Sequence, residues 1–128
     1  MRVLLDTHAL LWWITQDSSL SQVARTTISE TGNEIVVSVA SAWEMAIKVR
    51  NGRLPQMAEF VFDFTGNVKR ERFTILDITA DHAVRAGLLS GGHKDPFDRM
   101  FIAQSQAENI PLISNEKLFD GYGIRRLW

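Results

Sequence analysis

The sequence predicts an α/β protein in which a central, mainly parallel sheet is covered by helices on both faces. Short apolar segments rich in β-branched residues alternate with longer helical segments, which favours parallel strands joined by helical crossovers. The chain has 128 residues, of which 45% are hydrophobic and 23% are charged, and this is the balance of one compact domain. We therefore expect residues 1–128 to form a single domain.

The first part of the chain predicts two strands and the helices between them. Val3–Asp6 has the composition of a short buried strand, and the dense apolar residues of His8–Ile14 favour a helix packed on the sheet. Ser21–Thr31 predicts a second helix, which ends at a Gly-Asn stop signal. The β-branched run Ile35–Val39 then predicts an interior strand.

The middle of the chain predicts two helices and a strand. Ser41 begins the pattern Ser-x-x-Glu, which is typical of a capping box, so a helix is expected from there to the Asn-Gly pair at 51–52. A further helix is expected over Met57–Phe64. Phe73–Leu76 is then an expected strand.

The last third predicts two helices and two short strands. Thr79 is expected to cap a helix that reaches Leu89, and Asp95 with the following proline is expected to start a helix that runs to about Asn109. Strands are expected over Pro111–Ser114 and Ile124–Leu127. No internal repeat, linker or low-complexity segment interrupts this order.

Composition excludes several classes of function. The chain has no cysteine, which removes thiol nucleophiles and thiolate metal sites. No apolar run approaches the roughly 20 residues that span a bilayer, so we expect a soluble, cytoplasmic protein with no membrane partner. The formal charge is -1, so binding to nucleic acid would need a local basic patch rather than an overall basic charge. Candidate clusters are Lys48, Arg50 and Arg53; Lys69, Arg70 and Arg72; and Arg125 and Arg126.

Acidic residues follow the predicted strands, at the edge of a parallel sheet where ligands bind. They are Asp6, Glu44, Asp95, Asp98 and Glu116. Each has a structural alternative, since Asp6 and Asp95 suit helix caps, Glu44 suits a capping box, and Asp98 suits the first turn of a helix. Several carboxylates at one edge nevertheless repel one another unless a cation is present.

Oxygen ligands without cysteine or a histidine pair suit Mg²⁺ or Mn²⁺ rather than zinc. A magnesium ion held by a few carboxylates and waters keeps positions free for phosphate oxygens. Metal-assisted hydrolysis of a phosphodiester follows from that arrangement.

Three segments resemble a known family when they are taken together and in order. They are LLDTHALLWW from Leu4, SAWEMAIK from Ser41, and HKDPFDR from His93 with Ala103-Gln104 beyond it. The chain ends with Phe119, Tyr122 and Leu127-Trp128. This combination resembles the PIN-domain ribonucleases, and in particular the VapC-type toxins of toxin-antitoxin pairs, over essentially the full length.

The resemblance implies a PIN-like α/β/α sandwich and a Mg²⁺-dependent ribonuclease that cleaves RNA endonucleolytically. It also implies a homodimer and a cognate antitoxin that neutralises the toxin. Since such antitoxins often repress the shared operon, operator DNA would be bound only indirectly, through the antitoxin.

The resemblance also assigns the acids. Asp6, Glu44 and Asp98 match the family's metal-site acids, and Asp95 matches an additional acid of the VapC branch. Glu116 stands where many members have aspartate, so the longer side chain could move or lose a second metal. We expect a catalytic set of Asp6, Glu44, Asp98 and Glu116.

Neighbouring polar residues are candidate accessory groups. The hydroxyls of Thr7 and Ser114 either orient an acid or a water, or take plain capping roles. Asn115 directly precedes Glu116, and Arg99 is expected to pair with a site acid or to touch phosphate.

Histidine and tryptophan residues have mostly structural interpretations. His8 is expected to be structural, and His93 either contacts RNA or lies on the surface. Apolar helical positions favour core or dimer packing over base stacking for Trp12, Trp13 and Trp43.

Three rival functions are weighed against the nuclease. A phosphoacceptor receiver domain needs an acidic pair near the first strand, but Asp6 has no adjacent acid. A haloacid-dehalogenase-like phosphatase needs Asp-x-Asp there, but position 8 is histidine. A catalytically impaired PIN-fold module that binds RNA or protein remains open if Glu116 has disabled the site.

Overall fold

A computed structural model describes residues 1–128, and its central sheet has five strands in the order β3-β2-β1-β4-β5. Every neighbouring pair is parallel, so the prediction of a mainly parallel sheet is confirmed and the sheet is entirely parallel. The strands are β1 Arg2–Leu5, β2 Glu34–Ser38, β3 Thr74–Leu76, β4 Leu112–Ile113 and β5 Arg126–Leu127.

Seven α-helices and two 3-10 segments connect the strands. The helices are α1 Thr7–Ile14, α2 Gln22–Ser29, α3 Val39–Arg50, α4 Ala58–Phe62, α5 Phe64–Arg70, α6 Ala80–Leu88 and α7 Pro96–Glu108, and the 3-10 segments are Pro55–Met57 and Lys117–Tyr122. No helix has both the length and the apolar character that crossing a membrane would require.

The strand residues divide between two apolar cores because alternate side chains point to opposite faces of a sheet. Val3 and Leu5 of β1 pack with Met45 of α3 and with residues of α1, α2, α4 and α5. Leu4, from the same strand, packs on the other face with Phe101 of α7 and with Phe119. Helices therefore cover both faces, which gives the α/β/α sandwich.

Side-chain caps start several helices where the sequence predicts them. Asp6, Ser21, Thr79 and Asp95 each accept a hydrogen bond from a backbone N–H in the first turn of the helix that follows. Such caps satisfy N–H groups that have no partner within the helix. Two of the four, Asp6 and Asp95, are also candidate site acids.

The predicted N-cap of α3 is wrong by three residues. Ser38, and not Ser41, is the N-cap, because its hydroxyl accepts from the backbone N–H of Ala40 at 3.0 Å. Strand β2 therefore ends at Ser38 and not at Val39. Ser41 lies inside the helix, where its hydroxyl is 3.1 Å from that of Thr7, so it joins α3 to α1.

The predicted helix Met57–Phe64 is also wrong, since the chain folds there as two helices. Asp63 has φ -129° and ψ 57°, which is not helical, and it separates α4 from α5. Its carboxylate accepts from the backbone N–H of Gly66 at 3.3 Å and starts α5. Lys69 and Arg70, part of a candidate basic cluster, lie in the last turn of that helix.

Candidate functional site

The five candidate acids line one cleft at the carboxyl edge of the sheet. The cleft has a volume of about 480 Å³. It is lined by Asp6, Thr7, His8, Trp12, Glu44, Lys48, Asp95, Asp98, Asn115 and Glu116. Strands β1, β2 and β4 are neighbours in the sheet, so the residues that follow them meet at this edge. The predicted convergence of the five acids on one edge of the sheet is therefore confirmed.

Asp6 is the most deeply buried acid that follows a strand. It leaves β1 and caps α1, with its Oδ1 accepting from the backbone N–H of Ala9 at 2.8 Å. Only 5% of the residue is exposed, and this burial raises the pKa of Asp6 to about 6, although hydrogen bonds from Ser114 and Ala9 oppose the rise. The charges of Glu44 and Glu116 raise it further. The carboxylate is thus a strong candidate to bind a cation, which would relieve the cost of its charge.

Asp98 occupies a similar position at the start of α7. Burial raises the pKa of Asp98 to about 6, and the charges of Asp95 and Asp6 contribute in the same direction. His93 opposes this rise, with its Nε2 2.9 Å from Oδ2 of Asp98. Asp95 accepts from the backbone N–H groups of Phe97 and Asp98 at 2.8 and 3.2 Å. Capping and site roles are therefore compatible for Asp95.

Glu44 contributes a buried carboxylate from α3. Its Oε2 lies 3.1 Å from Nζ of Lys48, one turn further along the same helix. Lys48 is the one lysine or arginine side chain that lines the cleft. The hydroxyl pair of Thr7 and Ser41 fixes α1 against α3, and so holds the Asp6 and Glu44 sides of the cleft together.

Glu116 reaches the cleft from the loop after β4. Its Oε1 accepts from the backbone N–H of Leu118 at 3.0 Å and caps the 3-10 segment. Its own backbone N–H donates to Oγ of Ser114 at 3.0 Å. The fully buried Ser114 also lowers the pKa of Asp6, and its predicted role in orienting an acid or a water stays a prediction. Asn115 is exposed and lines the cleft beside Glu116.

Arg99 makes no ion pair with a site acid in the structure, and its contact with phosphate stays a prediction. Its guanidinium donates to the backbone carbonyls of Ala86, Leu89 and His93. Arg99 instead holds the end of α6 and the following loop against α7. Sequence reasoning undervalued His93, which this loop positions against Asp98. No spacing rule indicates this contact, because His93 lies in the loop before α7.

The tryptophans differ in their surroundings. Trp12 and Trp13 are partly buried against the core, as the helical pattern indicates, and Trp12 also lines the cleft with its ring 5.8 Å from that of Trp128. Trp43 is 63% exposed and meets Phe97 edge-on with ring centroids 5.1 Å apart. Trp43 is therefore not a core residue.

The cleft suits a hydrated divalent cation better than a fully protein-bound one. No three of its acids are arranged to hold one ion directly, so water would have to complete the coordination, as is usual for Mg²⁺. All candidate donors are oxygens, which is the set that Mg²⁺ or Mn²⁺ prefers. A bound cation would also offset the repulsion and burial that raise the pKa values of Asp6 and Asp98.

The fold and site together define an α/β/α sandwich with an acidic cleft at the carboxyl edge of its parallel sheet. A family model described as "PIN domain" matches residues 3–124. The chain therefore belongs to the PIN domain family, and the resemblance of its motifs to that family is confirmed. A search of curated proteins finds no sequence that matches this chain.

Solved structures with a similar fold include several toxin-antitoxin proteins. VapBC2 from Rickettsia felis, solved with a DNA fragment from its promoter, has a TM-score of 0.68 at 17% identity and covers 98% of this chain and 97% of that one. DNA-bound VapBC from Salmonella typhimurium has a TM-score of 0.72 at 16% identity, covering 98% and 96%. Mycobacterium tuberculosis VapC20, a toxin that cleaves the sarcin-ricin loop, has a TM-score of 0.68 at 12% identity, covering 95% of each chain. At these identities the likeness concerns the fold.

Proposed function

We propose that the chain is a VapC-type toxin, a metal-dependent endoribonuclease that a cognate antitoxin neutralises. The observation that carries this proposal is the convergence of buried carboxylates on one cleft. Burial and neighbouring acids raise the pKa values of Asp6 and Asp98, so their ionised forms are disfavoured and a bound cation would stabilise them. Membership in the PIN family and the VapC-like fold point to RNA as the substrate.

Mg²⁺, or Mn²⁺ in its place, is the proposed cofactor. Asp6 and Asp98 would hold it, with Glu44 and Asp95 as further ligands either directly or through water. Glu116 would support the site from the opposite loop. When bound, the ion supplies an activated water and neutralises charge on the scissile phosphate.

The proposed reaction adds one water across a phosphodiester bond. The water oxygen forms a new bond to phosphorus, and the bond from phosphorus to one ribose oxygen breaks. One proton of the water leaves to solvent or to a carboxylate, and the departing ribose oxygen gains a proton. In this proposal Asp6 and Asp98 would orient the attacking water, and their position in the lining of the cleft supports that role.

The antitoxin and operator proposals come from the neighbouring structures. Those from Rickettsia and Salmonella are VapBC assemblies with DNA. By analogy, this chain would bind an antitoxin, and operator DNA would be contacted only through that antitoxin. The test is co-expression, because the chain alone should arrest growth and degrade RNA while the product of an adjacent small gene should reverse both effects.

A homodimer is proposed on the apolar surface beside the cleft. A hollow of about 240 Å³ is lined largely by apolar residues of α3, α6 and α7, including Trp43, Ala86, Phe97 and Met100. An exposed tryptophan at such a hollow is typical of a protein interface. Sedimentation of Trp43→Glu against wild type would test it, since a charge there should give monomers.

One observation favours a catalytically impaired binding module instead. The carboxylate of Glu116 is engaged in capping the 3-10 segment, and no three acids are preset for one ion. Calorimetric titration of Mn²⁺ into wild type and Asp98→Asn separates the two functions. The nuclease binds the ion and loses affinity in the variant, whereas the impaired module binds no ion in either protein.

The decisive experiment for activity is sequencing of RNA ends after brief expression. A nuclease should create new ends at a small set of positions, and Asp98→Asn should create none. Intact RNA in cells that express the folded wild-type chain would refute the proposed function.

A further inference from the structure

Lys48 is the single basic side chain of the lysine or arginine type among the residues that line the acidic cleft. It lies in the last turn of α3, and 28% of its side chain is exposed. Five carboxylates line the same cleft. Lys48 is thus a lone cation at the place where a negatively charged substrate would have to bind.

The ammonium of Lys48 pairs with Oε2 of Glu44 at 3.1 Å. A pair of this spacing on a helix is commonly a small stabilising contact, worth about 0.2–0.5 kcal/mol. Here, however, both partners face the cleft, and Glu44 is a buried candidate ligand. An ammonium group has three N–H donors, and Glu44 occupies one, so two remain for a ligand in the cleft.

The charge balance of the cleft favours a phosphate partner for Lys48. With all five acids ionised, one divalent cation and Lys48 together leave the cleft negative, and a phosphodiester adds a further negative charge. A cation that binds Glu44 would compete with Lys48 for that carboxylate. The released ammonium would then lie next to the phosphate that the cation attracts, where charge-assisted hydrogen bonds to phosphate oxygens are strong.

We propose that Lys48 is a catalytic residue that donates hydrogen bonds to a non-bridging oxygen of the scissile phosphate. In the metal-free protein the ammonium of Lys48 pairs with Glu44. When metal and RNA bind, the ammonium moves from that carboxylate to the phosphate. Its ammonium then stabilises the charge that develops as water attacks. The proposal rests on the nuclease function proposed above.

The test uses the full chain in three variants. Lys48→Met removes the charge but keeps the length and helix propensity, and Lys48→Arg keeps the charge. Arg50→Met is the matched control, since it removes an exposed charge from the same helical turn. Each protein is checked by circular dichroism, titrated with Mn²⁺ by calorimetry, and assayed on a single-stranded RNA pool of random sequence at saturating Mn²⁺.

The expected result is that metal binding and cleavage respond in opposite directions. Lys48→Met should bind Mn²⁺ as tightly as wild type or several-fold more tightly, because a competing cation has gone. Its kcat should nevertheless fall by about 100-fold or more, the usual effect of removing one donor to the reacting group. Lys48→Arg should recover much of that loss, and Arg50→Met should match wild type.

Two outcomes would overturn the proposed role of Lys48 and leave the proposed nuclease function standing. Cleavage by Lys48→Met within about twofold of wild type would mean that Lys48 only competes with metal for Glu44. Weaker Mn²⁺ binding by Lys48→Met would mean that it only holds Glu44 in place. If wild type itself binds Mn²⁺ but cleaves no RNA, the nuclease function fails first and the role of Lys48 falls with it.

Discussion

Helix α7 has a histidine-carboxylate pair at each end, and the two pairs differ in what surrounds them. At its start, Nε2 of His93 lies 2.9 Å from Oδ2 of Asp98. At its end, Nε2 of His82 lies 3.1 Å from Oε2 of Glu108. The local contact is almost the same, so the contact itself does not distinguish a site from a structural pair.

The surroundings of the two carboxylates make the distinction. Glu108 has a second partner in Arg2, with Nη1 3.6 Å from Oε1, and His82 is buried in a capping box with Thr79. Asp98 instead faces Asp95 and Asp6, which raise its pKa. A further cation would stabilise an acid whose neighbours are acids, whereas an acid with an arginine beside it already has one. We therefore expect the His93–Asp98 pair to affect metal binding and cleavage. We expect the His82–Glu108 pair to affect the free energy of unfolding.

The largest expected effect is the loss of cleavage in Asp98→Asn. The amide keeps the size of the side chain but removes a charge that the metal needs, so cleavage should fall by more than the 10- to 100-fold typical of residues that only support a ligand. Asp6→Asn should behave in the same way. Cleavage is measured at excess Mg²⁺, with circular dichroism to confirm folding.

Glu108→Gln is the matched control for Asp98→Asn, because it neutralises the carboxylate of the other pair. It should leave kcat within about twofold of wild type, since Glu108 does not line the cleft. Full activity in a folded Asp98→Asn variant, or loss of activity in Glu108→Gln, would reverse the comparison.

The two histidines should separate stability from activity. His82→Ala should lower the free energy of unfolding by about 2–4 kcal/mol, because it leaves a buried cavity, removes a cap and strips Glu108 of a partner. Urea unfolding measures this change. Activity per folded molecule should stay near that of wild type.

His93→Ala should have the opposite profile. Its effect on unfolding should be about 1–2 kcal/mol, smaller than that of His82→Ala although the His93 ring packs edge-on against Phe119. Mn²⁺ affinity should fall by roughly 10- to 100-fold as Asp98 loses its orienting partner. His93→Gln, which keeps a donor, should recover part of the affinity. Unchanged affinity in His93→Ala would remove His93 from the site.

The cleft should also make the metal-free protein less stable as pH rises. Folding raises the pKa of Asp6 from 3.8 to about 6, so the folded state binds this proton more tightly than the unfolded state does. The stabilisation is fully present below the unfolded pKa of 3.8 and is lost as pH rises through the folded pKa of about 6. For a shift of this size the loss is about 3 kcal/mol.

Urea unfolding in chelator between about pH 4 and pH 7 tests this sign, with Asp6→Asn as the reference that removes the contribution of all other groups. As pH rises, the free energy of unfolding of wild type should fall relative to that of Asp6→Asn. Saturating Mg²⁺ should reduce the change, because the ion stabilises the ionised carboxylates. A difference that is independent of pH would show that Asp6 is not perturbed.

The sequence predicted the cleft because strand ends in a parallel sheet meet at one edge, which is a property of topology and needs no contact detail. Asp6, Glu44, Asp95, Asp98 and Glu116 were found in this way. Side-chain partners across loops could not be found from spacing alone. The carbonyl partners of Arg99 could not be predicted, because they lie on α6 and the loop that follows it and not among its sequence neighbours. Ser41 was wrongly predicted as the cap of α3, because Ser38 takes that position.

Among the acids of the cleft, Glu116 should have the smallest effect on cleavage when it is substituted. It also tests whether a carboxylate that caps a 3-10 segment contributes to the site. Its Oε1 caps the 3-10 segment through the N–H of Leu118, and its charge raises the pKa of Asp6. Glu116→Gln keeps an oxygen for the cap but removes the charge, so the segment should remain ordered.

We therefore expect Glu116→Gln to reduce cleavage only several-fold, far less than Asp98→Asn, and to raise the Mg²⁺ concentration needed for half-maximal activity. Glu116→Asp should retain or improve activity, because aspartate also caps well and has one rotatable bond fewer to order. Both variants are assayed across a Mg²⁺ titration. If Glu116→Gln is as inactive as Asp98→Asn at saturating Mg²⁺, Glu116 is an essential ligand or catalytic group, and its capping contact must break when the ion binds.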